Sequence, residues 1–465
     1  MKKTLVALAA LAAVSAASAQ SSVTLFGVVD AGYTNITTSN AGSVGFLSGN
    51  GRNASSRLGF RGVEDLGGGL QFGFWLEAGV NVDNGTGANT AVVNSALGDK
   101  ILIGPGGASG SYPGAGSGLG GNQGLTFNRK STMWVQGSWG RIELGRDYNP
   151  TFLNQTAFDP FGTVGVGSTV IVASGTLNPF AAGGLGGNPT TQVRASNSIQ
   201  YAARVGDVYG VFMVGLSEIP SQCTAAGAQF NGIIQLANGT TGGASTTNVC
   251  LATDGDGELF AGRLGYAKGP LSVAIGYSQT KYSDTVINAT TLTTLGGLNS
   301  TGVLAAAAGN QAPYRGTYTV ANLVGTYDFG VAKVWGQINS SEVDINNVGS
   351  GNTQGGKLSS YLLAVTAPFG ATEFKAAYNW GDYSRNGATP APAGAWEDGS
   401  TSKMLTLGVV YNFSKRSAVY ATVSNLEVTG QNTRANLGGL SSTAAQKPGD
   451  SNSTTGVDIG MRHSF

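Results

Sequence analysis

Basic side chains are concentrated in two neighbouring predicted strands, 127–138 and 141–148, which are joined by a tight turn. The four residues are Arg129, Lys130, Arg141 and Arg146. A guanidinium stays charged at neutral pH, and its planar fork can bind the oxygens of carboxylates and phosphates. The pattern therefore favours non-covalent handling of anions over bond-making chemistry.

The reactive residues of the chain give little support to catalysis. His463 is the only histidine, whereas a Ser–His hydrolase needs a histidine beside an accessible nucleophile. Cys223 and Cys250 are the only cysteines, too few for a thiolate metal cluster. The run Thr253–Glu258 resembles part of a calcium loop but lacks the full ligand register, and a turn-rich loop is the simpler interpretation. We expect no enzyme activity, no cofactor and no metal.

A long segment without strand-like alternation follows the second basic strand. Pro150 ends the pairing because it has no N–H to donate. Residues 149–194 are rich in Gly, Asn and Pro. A connection of this length is uncommon in a compact domain unless it has a function of its own. We therefore expect this loop to fill part of a hollow protein.

The first residues predict export. Residues 1–19 have a Lys2-Lys3 head, an apolar run and small residues at the end, which is typical of a secretory signal peptide cleaved before Gln20. The remainder, 20–465, is expected to form one domain. It carries 24 Lys and Arg against 25 Asp and Glu, a net charge of −1. Nothing in this balance suggests nucleic acid as a partner.

The composition is that of a membrane protein built from strands. Charged residues make up 11% of the chain, and 75 residues are glycine. A soluble protein of this length usually has about a quarter charged residues. After residue 19 no stretch is long and apolar enough for a spanning helix. A transmembrane β-barrel fits, because it shows an apolar face to lipid and a polar face to water.

Period-two alternation supports this interpretation in several places. In 70–82, Leu70 and Phe72 fall on one face while Gln71 and Glu77 fall on the other. The segments 271–277 and 457–465 alternate in the same way. Such alternation indicates strands with one apolar and one polar side.

The pattern predicts about sixteen strands, and their connections alternate between short and long. The predicted strands are 22–36, 55–66, 70–82, 127–138, 141–148, 195–205, 208–218, 258–267, 271–283, 316–328, 331–343, 357–367, 371–383, 401–413, 417–428 and 454–465. The long connections are 37–54, 83–126, 149–194, 219–257, 284–315, 344–356, 384–400 and 429–453. Short periplasmic turns alternating with long outer loops are typical of an outer-membrane barrel. The fold class is therefore all-β, a transmembrane antiparallel barrel.

Four motifs resemble a known family across the whole chain. They are SSVTLFGVVDAG, SSRLGFRGVEDLGGGLQFGFWLEAG, FNRKS followed by GRIELGRDYNP, and the terminal GVDIGMRHSF. Together they resemble the trimeric general diffusion porins of Gram-negative bacteria, of the beta-proteobacterial type. The resemblance implies a sixteen-stranded barrel whose third outer loop, here 149–194, folds inward. It also implies a homotrimer in the cell outer membrane, in contact with lipid and lipopolysaccharide, and makes Phe465 part of an assembly signal.

The same resemblance implies an electrostatic constriction of the pore. The implied residues are Arg57, Arg129, Arg194 and, as a further basic candidate, Arg146, with Glu77 on the wall and Asp159 in the inner loop. Regular alternation lets only one of Arg129 and Lys130 face the pore unless a bulge intervenes. The excess of arginine predicts a preference for anions.

Export also bears on the two cysteines. Both lie in one outer loop, 219–257, and would meet an oxidising compartment, so we expect a Cys223–Cys250 disulfide.

Three function classes stay open. The first is passive diffusion of small hydrophilic solutes and ions, and the second is a substrate-specific channel for sugars or organic acids. The third is a structural or adhesive surface barrel. Trp75 and Trp134 could serve a sugar path, but packing in the pore or at the membrane interface is the more ordinary role.

Overall fold

The structure, a computed structural model, describes the chain chiefly as antiparallel strands. The described residues are 22–88, 124–172, 190–216, 257–284, 314–347, 353–387, 397–431, 433–438 and 447–465. The expected signal peptide and both cysteines lie outside these ranges.

The described residues form eighteen strands in one sheet, and sixteen of these strands make up the wall of a closed barrel. In chain order the strands are β1 (Ser22–Thr38), β2 (Gly42–Ser48), β3 (Arg57–Gly67), β4 (Leu70–Asn81), β5 (Thr86–Gly87), β6 (Lys130–Gly137), β7 (Gly140–Tyr148), β8 (Arg194–Val205), β9 (Val208–Gly215), β10 (Leu259–Lys268), β11 (Leu271–Asp284), β12 (Tyr314–Asp328), β13 (Lys333–Asn347), β14 (Thr353–Phe369), β15 (Thr372–Gly387), β16 (Thr401–Asn412), β17 (Ser417–Thr429) and β18 (Ser451–Ser464). Every predicted strand is confirmed, with ends shifted by a few residues.

The two additional strands, β2 and β5, were predicted as loop. The wall pairing of β1 with β3 ends at Val28, so from Gly32 onward this edge of β1 is free. β2 pairs with it there, from Gly32↔Ser48 to Thr38↔Gly42. β5 pairs with only the last two residues of β4. Both strands thus occupy edges that extend beyond the wall, which strand alternation alone does not reveal.

The barrel closes where β1 pairs with β18. The register runs from Val28↔Ser464 to Thr38↔Thr454. Gly27 and Phe465 extend it, each donating its N–H to the other's carbonyl at 3.1 Å. Closure leaves no open edge among the wall strands, as a hydrocarbon environment requires. Phe465 is therefore part of the seam, and its role as an assembly signal stays a prediction.

The two faces of the wall differ as the alternation predicts. In β18, Ile459 is 57% and Met461 66% exposed on the outer face, while Asp458 is fully buried on the inner face. In β4, Leu70 and Phe72 are exposed on the outside. The outer face is therefore apolar, and polar groups collect inside the barrel. The predicted short turns are also confirmed, as in Gly67–Gly69, where φ values of 80°, 62° and 81° require glycine.

Candidate functional site

The segment predicted to fold inward, residues 149–194, is called the inner loop, and its described residues 150–172 lie inside the barrel. It begins with helix α1 (Pro150–Ala157). The Asn149 side chain caps this helix by accepting the Thr151 N–H at 3.0 Å, and Pro150 suits the first position because its missing N–H is not needed there. This helix was predicted as irregular loop. No helix in the described part of the chain is long and apolar enough to span a membrane.

Polar side chains fasten α1 to the inner face of three wall strands. The bonds are Thr151 Oγ1 with Ser278 Oγ on β11 (3.1 Å), Asn154 Nδ2 to Asn322 Oδ1 on β12 (2.9 Å), and Gln155 Nε2 to Asn339 Oδ1 on β13 (3.3 Å). Two wall amides also donate to the helix backbone, Asn322 to Thr151 O at 2.9 Å and Gln337 to Gln155 O at 3.1 Å. These buried hydrogen bonds fix the position of the helix on the wall.

The loop then runs along the wall to the last strand. Lys375 Nζ of β15 donates to Pro160 O at 2.8 Å. Phe161 packs beside Leu362, and Val166 donates its N–H to Asp458 Oδ2 of β18 at 2.8 Å. The hydrogen bonds of the described part of the loop therefore fasten it to the wall from β11 to β18. On the other side of the barrel, Phe152 of α1 packs against Tyr148 of β7, with ring centroids 5.2 Å apart.

A second stretch, residues 433–438, also lies inside the barrel, and we call it the second inner segment. Thr433 O accepts from Asn452 Nδ2 at 3.3 Å, and Ala435 O accepts from Thr454 Oγ1 at 3.1 Å. Its apolar side chains join Val166 of the inner loop in one buried cluster. That cluster contains Ile36, Val166, Val172, Leu358, Tyr383, Met404, Leu426, Val428, Ala435 and Leu437. This apolar packing holds Val166 and Val172 of the inner loop against the wall.

Glycines in the wall make room for the inner loop. A Cβ at Gly456 would lie 2.6 Å from Val166 Cγ1, and one at Gly408 would lie 2.8 Å from Phe161 Cε1. Atoms cannot approach this closely without displacement. These positions were not singled out from the sequence, because a glycine in a strand gives no indication of what approaches it.

Four arginines lie near one another on the part of the wall from β3 to β8, and we call them the arginine wall. They are Arg57 of β3, Arg129 just before β6, Arg146 of β7 and Arg194 of β8. Glu77 of β4 is the carboxylate that two of them share. Arg129 Nε lies 2.6 Å from Glu77 Oε1, and Arg57 Nη1 lies 3.9 Å from the same oxygen. One carboxylate therefore faces two guanidiniums, so positive charge remains in excess.

Tyr148, which the sequence did not single out, joins two members of this wall. Its hydroxyl oxygen accepts from Arg129 Nη2 at 3.0 Å and from Arg194 Nη2 at 2.9 Å. Arg194 Nε also donates to Arg129 O at 2.8 Å. Arg146 donates through Nε to Asn128 O at 2.7 Å and through Nη1 to Ser196 Oγ at 2.6 Å.

The structure shows how Arg129 and Lys130 both reach the pore side. β6 begins at Lys130, so Arg129 precedes the regular alternation and no bulge is needed. Lys130 Nζ lies 2.6 Å from Glu143 Oε1 and 2.5 Å from Asp147 Oδ2. Its charge is therefore balanced locally, which distinguishes it from the arginine wall.

Asp159 lies in the inner loop, and its carboxylate is turned toward the loop's own backbone. Oδ1 accepts the Phe161 N–H at 2.8 Å, and Oδ2 accepts the N–H groups of Thr163 and Thr169 at 3.0 Å each. The side chain of Thr169 donates to Oδ2 as well, at 2.5 Å. Burial raises the pKa of the Asp159 carboxyl above its ordinary value, although these hydrogen bonds oppose the rise.

The tryptophans, the histidine and the calcium-like run that the sequence offered as further candidates show no arrangement of a binding or catalytic site in the described residues. Trp134 is 6% exposed beneath the Arg141 guanidinium, and Trp75 Nε1 donates to Glu77 Oε2 at 3.2 Å. His463 Nδ1 lies 2.9 Å from Ser417 Oγ in an exposed pair at a short turn. Among the described residues, no group of three or more His, Cys, Asp or Glu could hold a metal ion. Most of Thr253–Glu258 falls outside the described ranges.

Comparisons with known proteins agree with this architecture. A family model described as Gram-negative porin matches residues 7–431. Outer membrane porin protein 32 of Delftia acidovorans is 31% identical, with 100% of both chains covered. An outer membrane porin protein of Bordetella pertussis is 27% identical over 90% of this chain and 93% of its own.

Solved structures give the same result for the fold. The anion-selective porin from Comamonas acidovorans matches with a TM-score of 0.62 and 28% identity, covering 96% of this chain and 100% of that one. OmpT of Vibrio cholerae matches with a TM-score of 0.54 over 96% of this chain and 98% of its own. At 13% identity, that second match supports the fold alone.

Proposed function

The chain belongs to the Gram-negative porin family, and from this premise we propose that it is an anion-preferring channel. It is a passive diffusion channel for small hydrophilic solutes and ions across the outer membrane. The proposal concerns which ions pass most readily, and its pore residues are Arg57, Arg129, Arg146, Arg194, Glu77 and Asp159.

One observation carries the proposal: the balance of charge where the inner loop narrows the barrel. The arginine wall holds four guanidiniums, Glu77 pairs with two of them, and Asp159 is the only acid of the inner loop. The Asp159 side chain is 5% exposed and bonded to its own loop, so it adds little negative charge to the pore surface. A positive field between low-dielectric walls raises the local concentration of anions and repels cations.

The related anion-selective porin from Comamonas acidovorans supports the same conclusion by similarity. A substrate-specific sugar channel is less well supported, because Trp75 and Trp134 are both engaged by charged neighbours. In such a channel, added sugar would bind in the pore and reduce the chloride current, and this reduction would saturate as the sugar concentration rises.

The test is the zero-current potential of single channels in a planar bilayer across a KCl gradient. We expect a potential of the sign given by chloride permeation at 0.1 M salt. The preference should weaken at 1 M, because the screening length falls from about 10 Å to about 3 Å. A potential of the cation-permeable sign at low salt would overturn the proposal.

We also propose that the barrels assemble as a homotrimer that contacts lipid and lipopolysaccharide. The family resemblance supports this assembly, and loop 83–126 is long enough to reach over a neighbour, although most of it lies outside the described ranges. Native mass measurement of the detergent-extracted protein is the test. A stable monomer would contradict the trimer without affecting the channel.

A further inference from the structure

Tyr148, the last residue of β7, lies between two guanidiniums of the arginine wall. Arg129 and Arg194 each donate a hydrogen bond to its hydroxyl oxygen, at 3.0 Å and 2.9 Å. The Arg194 guanidinium also covers the Tyr148 ring, 4.3 Å from its centroid. Phe152 of α1 supports the ring from the inner loop, with the two centroids 5.2 Å apart. The phenol is thus held in place, and it holds both arginines.

The two arginines limit which group can accept the hydroxyl hydrogen of Tyr148. A phenolic oxygen has two lone pairs, and the two guanidiniums provide a donor to each. Neither guanidinium can accept a hydrogen bond, so the O–H of Tyr148 has to be donated elsewhere. An anion between the two arginines is an acceptor that this O–H can serve.

Two like charges repel each other, and a shared acceptor is a reason for them to stay side by side. Arg129 is tied to Glu77 at 2.6 Å by its Nε, while the Arg194 side chain is tied to Arg129 O and to Tyr148. Hydrogen bonds to charged groups are among the stronger ones in proteins. Loss of the phenolic oxygen would therefore release one guanidinium from the other.

We propose that Tyr148 is a specificity-determining residue of the pore: it fixes Arg129 and Arg194 as a pair and adds a hydrogen-bond donor for the passing anion. This inference rests on the proposed anion preference. It assigns part of that preference to an uncharged side chain, which a count of charges does not reveal.

The test uses Tyr148→Phe, which keeps the ring and removes only the oxygen. The matched control is Tyr209→Phe on β9, because Tyr209 accepts a hydrogen bond from Arg263 Nη2 at 3.1 Å and lies under that guanidinium at 5.0 Å. Tyr209 thus makes the same contacts as Tyr148, but with one arginine. Reversal potentials in 0.1 M KCl and conductance in 1 M KCl are measured for all three proteins.

We expect the chloride-to-potassium permeability ratio of Tyr148→Phe to fall by about three-fold or more, and that of Tyr209→Phe to stay unchanged. Conductance at 1 M should be the same in all three, because screening suppresses the electrostatic term while the pore width is unaltered. An unchanged ratio in Tyr148→Phe, or a conductance at 1 M that changes with it, would overturn the inference.

A second variant keeps the test decisive if Tyr148→Phe does not fold. Arg194→Lys preserves the charge but replaces the planar fork with a single ammonium, which cannot reproduce the paired geometry. The inference requires the permeability ratio to fall here too, and an unchanged ratio would contradict it. A wild-type channel that prefers cations refutes the proposed function itself, whichever result the variants give.

Discussion

The backbone N–H of Val166 donates a hydrogen bond of 2.8 Å to Oδ2 of Asp458. This bond joins the inner loop to the last strand of the barrel. The other oxygen of this carboxylate accepts the Thr34 hydroxyl of β1 at 2.7 Å, and Arg52 Nε lies 3.7 Å from it. One fully buried carboxylate therefore holds together the seam of the barrel and the element that narrows its pore.

Asp458→Asn should loosen the inner loop, because an amide cannot accept hydrogen bonds through both of its terminal atoms. We expect noisier single-channel currents and a loss of about 1–3 kcal/mol in stability, seen as a lower temperature of unfolding in heat-shift electrophoresis. Asp207→Asn is the control, since Asp207 forms an exposed ion pair of 3.5 Å with Lys268 at a short turn. Equal behaviour of the two variants would show that the Asp458 contact is unimportant.

Gly456→Ala should push the inner loop off the wall. The new Cβ would lie 2.6 Å from Val166 Cγ1 and 2.9 Å from Leu437 Cδ1, so both apolar side chains have to move. We expect about 1–3 kcal/mol of destabilisation and an altered conductance at 1 M KCl. Gly336→Ala is the matched variant, because a Cβ there meets its nearest atom at 3.9 Å. If both substitutions are tolerated alike, the loop does not depend on this close approach.

Arg57→Glu should reduce the anion preference, because it changes the charge of the arginine wall by two units beside Glu77. We expect the chloride-to-potassium permeability ratio at 0.1 M salt to fall by about three-fold or more. Arg141→Glu should have a smaller effect, since Arg141 lies at the start of β7 near a short turn and covers the Trp134 ring at 4.1 Å. A larger change for Arg141 than for Arg57 would place the selective region elsewhere in the pore.

Asp159→Asn should disturb the inner loop more than the selectivity. An amide oxygen can replace only part of the four hydrogen bonds that the carboxylate accepts from Phe161, Thr163 and Thr169. We expect a lower unfolding temperature with a nearly unchanged permeability ratio. A marked gain in anion preference at normal stability would instead mean that Asp159 reduces the positive field of the pore.

The Cys223–Cys250 disulfide is a prediction from the sequence alone. Both cysteines fall in the predicted outer loop 219–257, where export would expose them to an oxidising compartment. Closing a loop of this length is worth about 3–4 kcal/mol in the chain-entropy model. Mass spectrometry of the exported, non-reduced protein should show no alkylation at either position, whereas reduction should expose both. Two alkylated thiols before reduction would rule out the bond.

The wall of the barrel was predictable because the sequence of each strand reflects the environment on its two faces. Lipid on one side and water on the other impose period two, so β4 and β18 could be recognised without knowledge of their neighbours. Short turns such as Gly67–Gly69 then fixed the order of connections. Arg129 stood out in the sequence as one of four basic residues in two neighbouring strands. Arg57 and Arg194 were found only through the resemblance of their motifs, since a single arginine in a strand does not reveal its role.

What could not be predicted depends on contacts between segments that are far apart in the sequence. The orientation of Arg129 toward the pore follows from where β6 begins. The role proposed for Tyr148 follows from its contact with two arginines that belong to different parts of the chain. Gly456 is informative only once Val166 lies against it. The second inner segment was not predicted for the same reason. Its alternation spans only 433–438, and the residues that it contacts lie on β17, β18 and the inner loop.

The seam between β1 and β18 also bears on how the protein folds. Thr34 and Asp458 meet although 424 positions separate them, and no contact nearer in sequence can substitute for this pairing. Joining such distant segments incurs a large loop-closure entropy, and chains dominated by non-local pairings fold slowly. Until the two strands meet, each has an edge of unpaired N–H and C=O groups that hydrocarbon cannot satisfy. Barrel closure and entry into the membrane are therefore expected to be coupled, and a variant that weakens the seam should accumulate outside the membrane before it alters the pore.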